Sequence, residues 1–159
     1  MRRADRAVTD PEQVRQLLEE CRVCRLGLWD GQEVYIVPMN YGYTFEDGRM
    51  TLYFHCAQEG RRKEILEKNP AVSFELDQFG GYTGQGDLPC VYGCRYASVM
   101  GTGTARFLET VPEKIRGLEI FMRHVAGRDF SFTEEMTKRV GVLMVTADTY
   151  SCKELKEEG

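Results

Sequence analysis

Two Asp-Gly dipeptides, Asp30-Gly31 and Asp47-Gly48, each set between runs of β-branched and aromatic residues, constrain this chain more than any other feature. Asp-Gly supplies the left-handed backbone of a tight hairpin, so the strands on either side must run antiparallel. The flanking runs are Val23 to Leu28, Val34 to Tyr43 and Met50 to His55, which read as three strands joined by hairpins. Ala71 to Leu76, Tyr96 to Phe107 and Val140 to Ala147 read as three more. Gly101 and Gly103 interrupt the fifth of these, where a bulge or a close backbone approach is expected. Strands and helices do not alternate as in βαβ units, no repeat recurs and no linker divides the chain. The expectation is one domain over residues 1–159, mainly β with peripheral helices, built as a six-stranded antiparallel barrel.

The helices are marked by their ends. "TDPEQVRQLLEEC" has Thr9 with Glu12 three residues on, Pro11, and apolar residues at Val14, Leu17, Leu18 and Cys21, the pattern of a capped amphipathic helix. "RRKEILEKN" follows Gly60 and is closed by Asn69-Pro70, because the residue before a proline leaves the helical region. "TVPEKIRGLEIFMRHVAG" starts at Pro112, stops at Gly127 and places Ile115, Leu118, Phe121, Met122 and Val125 on one face. "TEEMTKRV" reads as a further helical turn. Glycines gather between Gln78 and Pro89, and a mobile loop long enough to form a lid or a site wall is expected there.

Composition narrows the function classes. The chain has 159 residues, 42% hydrophobic and 29% charged, ordinary for a soluble globular protein. Its longest apolar run, Val142 to Val145, is too short to span a bilayer. The N-terminal "MRRADRAVTDPEQ" fits neither a secretory signal nor a transit peptide, and a cytoplasmic protein is expected. A net charge of −4 offers no footprint for a nucleic acid. The six cysteines are expected to be reduced. Cys21-x-x-Cys24 with Cys90-x-x-x-Cys94 permits a four-thiolate zinc site on paper, while Cys21 and Cys24 also read as small buried hydrophobes. A thioredoxin-type pair is disfavoured because these cysteines close a helix instead of opening one. "GTGTA" at Gly101 lacks the third glycine of a dinucleotide loop, and neither a P-loop nor a G-x-S-x-G elbow occurs.

The segment "LYFHCAQEGRRKEIL", Leu52 to Leu66, concentrates the remaining chemistry. Gly60 before Arg61, Arg62 and Lys63 at a helix start combines free backbone N–H groups with cations, which is a phosphate site in outline. A solvated cationic turn is the other reading. Cations at a helix N-terminus oppose the dipole at a cost of about 0.3–1 kcal/mol each, which a bound anion offsets. His55 ends the strand just before, placed either as a structural histidine or against whatever the phosphate belongs to.

Three stretches, "CRVCRLGLWDGQEVYIVPMNYGY", "LYFHCAQEGRRKEILEKNPAVSFE" and "PCVYGCRYASVMGTGTARF", together resemble the flavin-binding split-barrel proteins related to pyridoxamine-5′-phosphate oxidase, and within these the 5-nitroimidazole-resistance group. The resemblance runs from about Arg3 to Phe107 and more weakly to Tyr150. It implies a split barrel binding FMN at a homodimer interface, with a small-molecule acceptor such as a nitroimidazole. By resemblance, Val37, Pro38, Met39 and Asn40 would lie along the isoalloxazine ring. His55, Cys56 and Ala57 would flank ring and ribityl chain, with His55 the candidate proton donor. Gly60, Arg61, Arg62 and Lys63 would hold the phosphate, and Ser98 and Val99 would add contacts. Relatives usually carry Tyr-Arg-Ser where this chain has Tyr96, Ala97 and Ser98, and Gly-Arg-Lys where Arg62 takes the lysine position. "YSCKELKEEG" does not match the arginine-bearing segment of a true pyridoxamine-phosphate oxidase. The alternative on the same barrel is a non-catalytic carrier or sensor of flavin, deazaflavin or haem.

Overall fold

The two edges of the sheet are neighbours in sequence, and this decides the shape of the molecule. The computed structural model describes residues 3–155; the last four residues of "YSCKELKEEG" lie outside them. In chain order the elements are β1 (Ala7–Val8), α1 (Pro11–Glu20), β2 (Cys24–Trp29), β3 (Val34–Met39), β4 (Gly42–Glu46), β5 (Arg49–Cys56), α2 (Arg61–Lys68), β6 (Ala71–Thr83), β7 (Gly93–Phe107), α3 (Val111–Ala126), α4 (Glu134–Thr137) and β8 (Gly141–Leu155). All pair antiparallel in the order β3-β2-β6-β7-β8-β5-β4, with β1 against β8. Between the edge strands β3 and β4 lie only Asn40 and Tyr41. The sheet therefore curls until its edges meet at that corner without hydrogen-bonding across it: an open, split barrel.

The strands number eight among the described residues, where the sequence pattern suggested six. Val34 to Tyr43 is two strands on opposite edges, because an apolar alternation does not show where a chain leaves one edge for the other. The last strand continues through Leu155, its polar residues on the solvent face and Cys152 turned inward. Part of the expected glycine-rich loop is strand as well: Tyr82 pairs with Cys94 and Thr83 with Gly93. The anticipated irregularity in β7 is present as a register shift between Thr102 and Gly103. A Cβ on Gly101 would overlap the Phe74 ring and the Thr149 carbonyl oxygen.

Helix ends follow the sequence signals closely. The cap of α1 is Asp10 instead of Thr9, its carboxylate accepting from the backbone N–H groups of Glu12 and Gln13. Thr110 and Glu113 cap α3 reciprocally, and Gly127 ends it with φ 66°. The inward face of α3 is rotated from the expected one: Gly117, Leu118 and His124 are buried, while Val125 is 46% exposed.

Tyr41 fills the corner. It is fully buried, and its hydroxyl donates to the Leu18 carbonyl at 2.6 Å, tying the corner to the end of α1. On its other side α3 sits on Gly42 so closely that a Cβ there would overlap the backbone of Ile120 and Phe121. His124 locks the contact: Nδ1 lies 2.7 Å from the Tyr41 carbonyl oxygen and Nε2 3.2 Å from that of Glu19. Among the described residues no helix is long and apolar enough to cross a membrane.

Candidate active site

Three consecutive cations on a helix diverge by about 100° each, so they cannot all face one ligand. Gly60 starts α2 at φ 111°, a backbone that L side chains rarely adopt, and no side chain caps the helix. Arg61 turns outward, reaching Asp30 at 2.8 Å and Glu33 at 2.5 Å while its guanidinium lies 4.7 Å from the centre of the Tyr35 ring. The Asp30 carboxyl is held at about 2 by the Glu33 backbone N–H, Arg61 and the Gln32 backbone N–H. Lys63 pairs along the helix with Glu67 at 3.6 Å. Arg62 alone turns toward the corner. Its Nη1 lies 3.3 Å from Met39 Sδ, and its buried Nε has no hydrogen-bond partner. No carboxylate is paired with it among the described residues.

A cavity of about 370 Å³ opens beside that guanidinium, lined by Pro38, Met39, Asn40, His55, Cys56, Ala57, Arg62 and Phe121. The ends of β3 and β5 build it, which is why residues distant in sequence converge there. Asn40 is oriented by its side-chain donation to the Arg22 carbonyl at 2.9 Å. The His55 ring lies 5.9 Å from that of Phe121, tilted by 38°. Of the other residues that the resemblance implicated, Val37 packs inward against the core, and Val99 is fully buried within it. Ser98 stands on the outer face of the sheet between Asp77 and Lys153. Ala97 is buried at 4% exposure, so no cation is presented at its position. Phe121 was visible in the sequence as part of an amphipathic face, with nothing to mark its place at the cleft.

A larger cavity of about 690 Å³ lies on the far side of α2, lined by Lys63, Arg106 and Lys114 among others. Two of its cations are paired locally, Arg106 with Glu113 at 2.8 Å and Lys63 with Glu67, and Lys114 donates to the Val140 carbonyl at 3.4 Å. It holds no orphaned donor.

The cysteines separate into two groups. Cys21, Cys24, Cys56 and Cys152 are buried, and Cys90 and Cys94 lie in and beside the β6–β7 connection. No group of three or more metal-ligating side chains occurs among the described residues, so the four-thiolate arrangement does not assemble. Burial pushes the Cys21 thiol up to about 12 and that of Cys152 to about 11, and raises those of Cys24 and Cys56, the last partly offset by Arg62. A raised thiol has little thiolate at neutral pH and reacts slowly. In the native protein an aromatic disulfide reagent is therefore expected to modify Cys90 and Cys94 quickly and the other four only on unfolding; four or more fast equivalents would contradict this burial.

On the outer face of the sheet, edge strand β3 exposes Val34 (62%) and Ile36 (61%), with Trp29 of β2 (48%) opposite Val34, while Arg25 with Glu75 and Asp77 separates this group from the exposed Met100 on β7 (44%). Beyond Leu76, where pairing with β2 ends, β6 continues against β7, with Phe79 58% and Tyr82 82% exposed.

A curled antiparallel sheet whose two edges meet at a corner without pairing defines the class, a split barrel, with the half-buried Arg62 beside that corner. The sequence profile of the pyridoxamine 5′-phosphate oxidase family matches residues 10–154, and the chain belongs to that family. Among solved structures it is similar to a candidate 5-nitroimidazole antibiotic resistance protein from Bacteroides thetaiotaomicron, at 30% identity and a TM-score of 0.79 over 93% of this chain and 86% of that one. The fold is shared with the flavocytochrome Anf3 of Azotobacter vinelandii, at 19% identity and a TM-score of 0.75 over 99% of this chain and 75% of that one. It is shared too with an FAD- and haem-binding protein of Mycobacterium smegmatis, at 16% identity and a TM-score of 0.78 over 97% and 74% of the two chains. No protein of curated function matches the sequence.

Proposed function

We propose that this chain binds FMN and acts as an oxidoreductase that passes electrons to a small acceptor such as a nitroimidazole, working as a homodimer with the flavin at the subunit interface. The observation that carries the reading is Arg62: a buried guanidinium Nε without a partner, beside a helix start that no side chain caps, gives an incoming anion a donor to meet. Its neighbour acceptors are sulfur atoms, Met39 Sδ and Cys56 Sγ, too weak to satisfy a cation. A phosphate supplies what they do not.

The remaining residues divide the work. Pro38, Met39 and Asn40 bring backbone groups of an edge strand to the cleft, where a flavin's polar rim finds donors and acceptors. His55, exposed at the end of β5, is placed to deliver a proton to a reduced acceptor. A bound flavin would supply the redox chemistry between an electron donor and the acceptor. The second copy is supported by the exposed apolar group on edge strand β3, Val34 and Ile36 with Trp29 beside Val34 on β2, which calls for cover. Likeness to the Bacteroides protein supports the nitro-compound as acceptor.

The test is the absorption spectrum of the purified protein, chromatography of what acid releases, and then turnover of 2-methyl-5-nitroimidazole with a reduced pyridine nucleotide. Released FMN with turnover supports the reading in full. Flavin without turnover of any nitro compound or quinone moves it to the carrier alternative, as does a haem-type spectrum. A colourless protein that takes up no added FMN overturns it.

A further inference from the structure

We infer that Phe121 is a specificity-determining residue of the cleft, a fixed aromatic wall that selects planar aromatic acceptors over compact or non-planar ones. The inference rests on the functional reading above. Phe121 is the one cleft residue contributed by α3, and it belongs to neither of the two hydrophobic clusters that make up the core. Its ring is half-buried because it faces the cleft and His55, not because it packs the interior. A phenyl group spent outside the core, at the mouth of a polar cavity, presents a π-face to whatever enters.

The backbone behind the wall is fixed. That of Phe121 lies directly on Gly42, and one turn later His124 sits between the carbonyls of Tyr41 and Glu19 on two other elements. The helix cannot back away from the cleft, so the ring stays at its border and discriminates by shape. His55 lines the same cleft, so an acceptor that enters beside a bound flavin meets the Phe121 ring at its border with His55 close by.

The measurement is equilibrium binding of 2-methyl-5-nitroimidazole to the protein as purified, by calorimetry, for the wild type, Phe121→Ala and Phe121→Tyr, alongside flavin content and steady-state kinetics with menadione and with ferricyanide. In Phe121→Ala the dissociation constant for the nitroimidazole and the KM for menadione are expected to rise roughly tenfold, about the worth of one aromatic contact. The rate with ferricyanide, a non-planar acceptor, falls by clearly less than the rate with menadione, and flavin content measured alongside separates loss of cofactor from loss of acceptor binding. Phe121→Tyr restores planar-acceptor binding. Equal losses for menadione and ferricyanide, an unchanged nitroimidazole affinity, or release of flavin from Phe121→Ala would each overturn the inference. Absence of flavin from the wild type would instead remove the oxidoreductase reading, while nitroimidazole binding still reports on Phe121.

Discussion

Arg62→Ala is expected to weaken FMN binding by roughly 10- to 150-fold, the worth of one charge-assisted hydrogen-bonded contact of about 1.5–3 kcal/mol, whereas Arg61→Ala next to it changes affinity by less than about threefold. The contrast follows from where the two side chains go. Arg61 is already engaged by Asp30 and Glu33 and lies over Tyr35, so an incoming phosphate would have to compete with two carboxylates for it. Arg62 has a buried donor waiting. The same fact predicts the sign of the effect on the flavin-free protein: removing a half-buried cation that no carboxylate pairs with, and whose buried Nε makes no hydrogen bond, relieves a desolvation cost, so the unfolding midpoint of apo Arg62→Ala does not fall. Fluorescence titration of FMN into both variants, with urea unfolding of the apo forms, decides it. Equal losses of affinity from the two alanines would show that the phosphate is held by the cationic turn as a whole.

Gly42→Ala is expected to destabilise the protein by about 3 kcal/mol, near the upper end of what added bulk in a tight contact costs. The new methyl group would meet the backbone of Ile120 and Phe121, and backbone cannot rotate away as a side chain can. The helix must lift, loosening the His124 bridge that holds α3 to the corner. Gly27→Ala is the control within the same sheet. Its Cβ would sit 3.7 Å from the Ser73 carbonyl oxygen and 3.9 Å from Val34 Cγ1, ordinary contact distances, and its midpoint in urea is expected to stay within about 0.5 kcal/mol of the wild type or to rise. Similar losses at both glycines would mean that the seat of α3 on Gly42 is not what holds the helix.

Much of the site was legible because its parts are punctuated. Gly60 and Asn69-Pro70 bracket α2 in the sequence as they do in the structure, and the Asp-Gly turns fix the antiparallel hairpins. What escaped has physical causes. The break at Asn40-Tyr41 is invisible to a period-two pattern, since Tyr43 and Phe45 continue the alternation on another edge. The direction of each cation in Arg61-Arg62-Lys63 depends on the phase of the helix relative to the corner, which tertiary packing sets. Phe121 reads as one more apolar residue on a helical face until Gly42 shows which way that face is turned. Ser98 and Val99 belong to a motif whose strand is in register with β6 and β8, and register alone decided that one faces out and the other in.

That the sheet's two edges are joined by two residues bears on how the protein comes to be competent. The strands that carry the cleft depend on partners far away in the chain: β3 through β2, which β6 secures with Cys24 opposite Leu76, and β5 through β8, with Thr51 opposite Thr146. Pairings of such sequence separation close large loops, which places folding toward the slow end for a domain of this kind. Neither wall of the corner stands until its distant partner has arrived, so no half-assembled chain offers a place for a ligand. A molecule that binds there acts on the finished form alone and draws the population toward it by mass action. Ligand uptake during refolding is thus a direct count of chains that have completed the circuit from one edge of the sheet to the other.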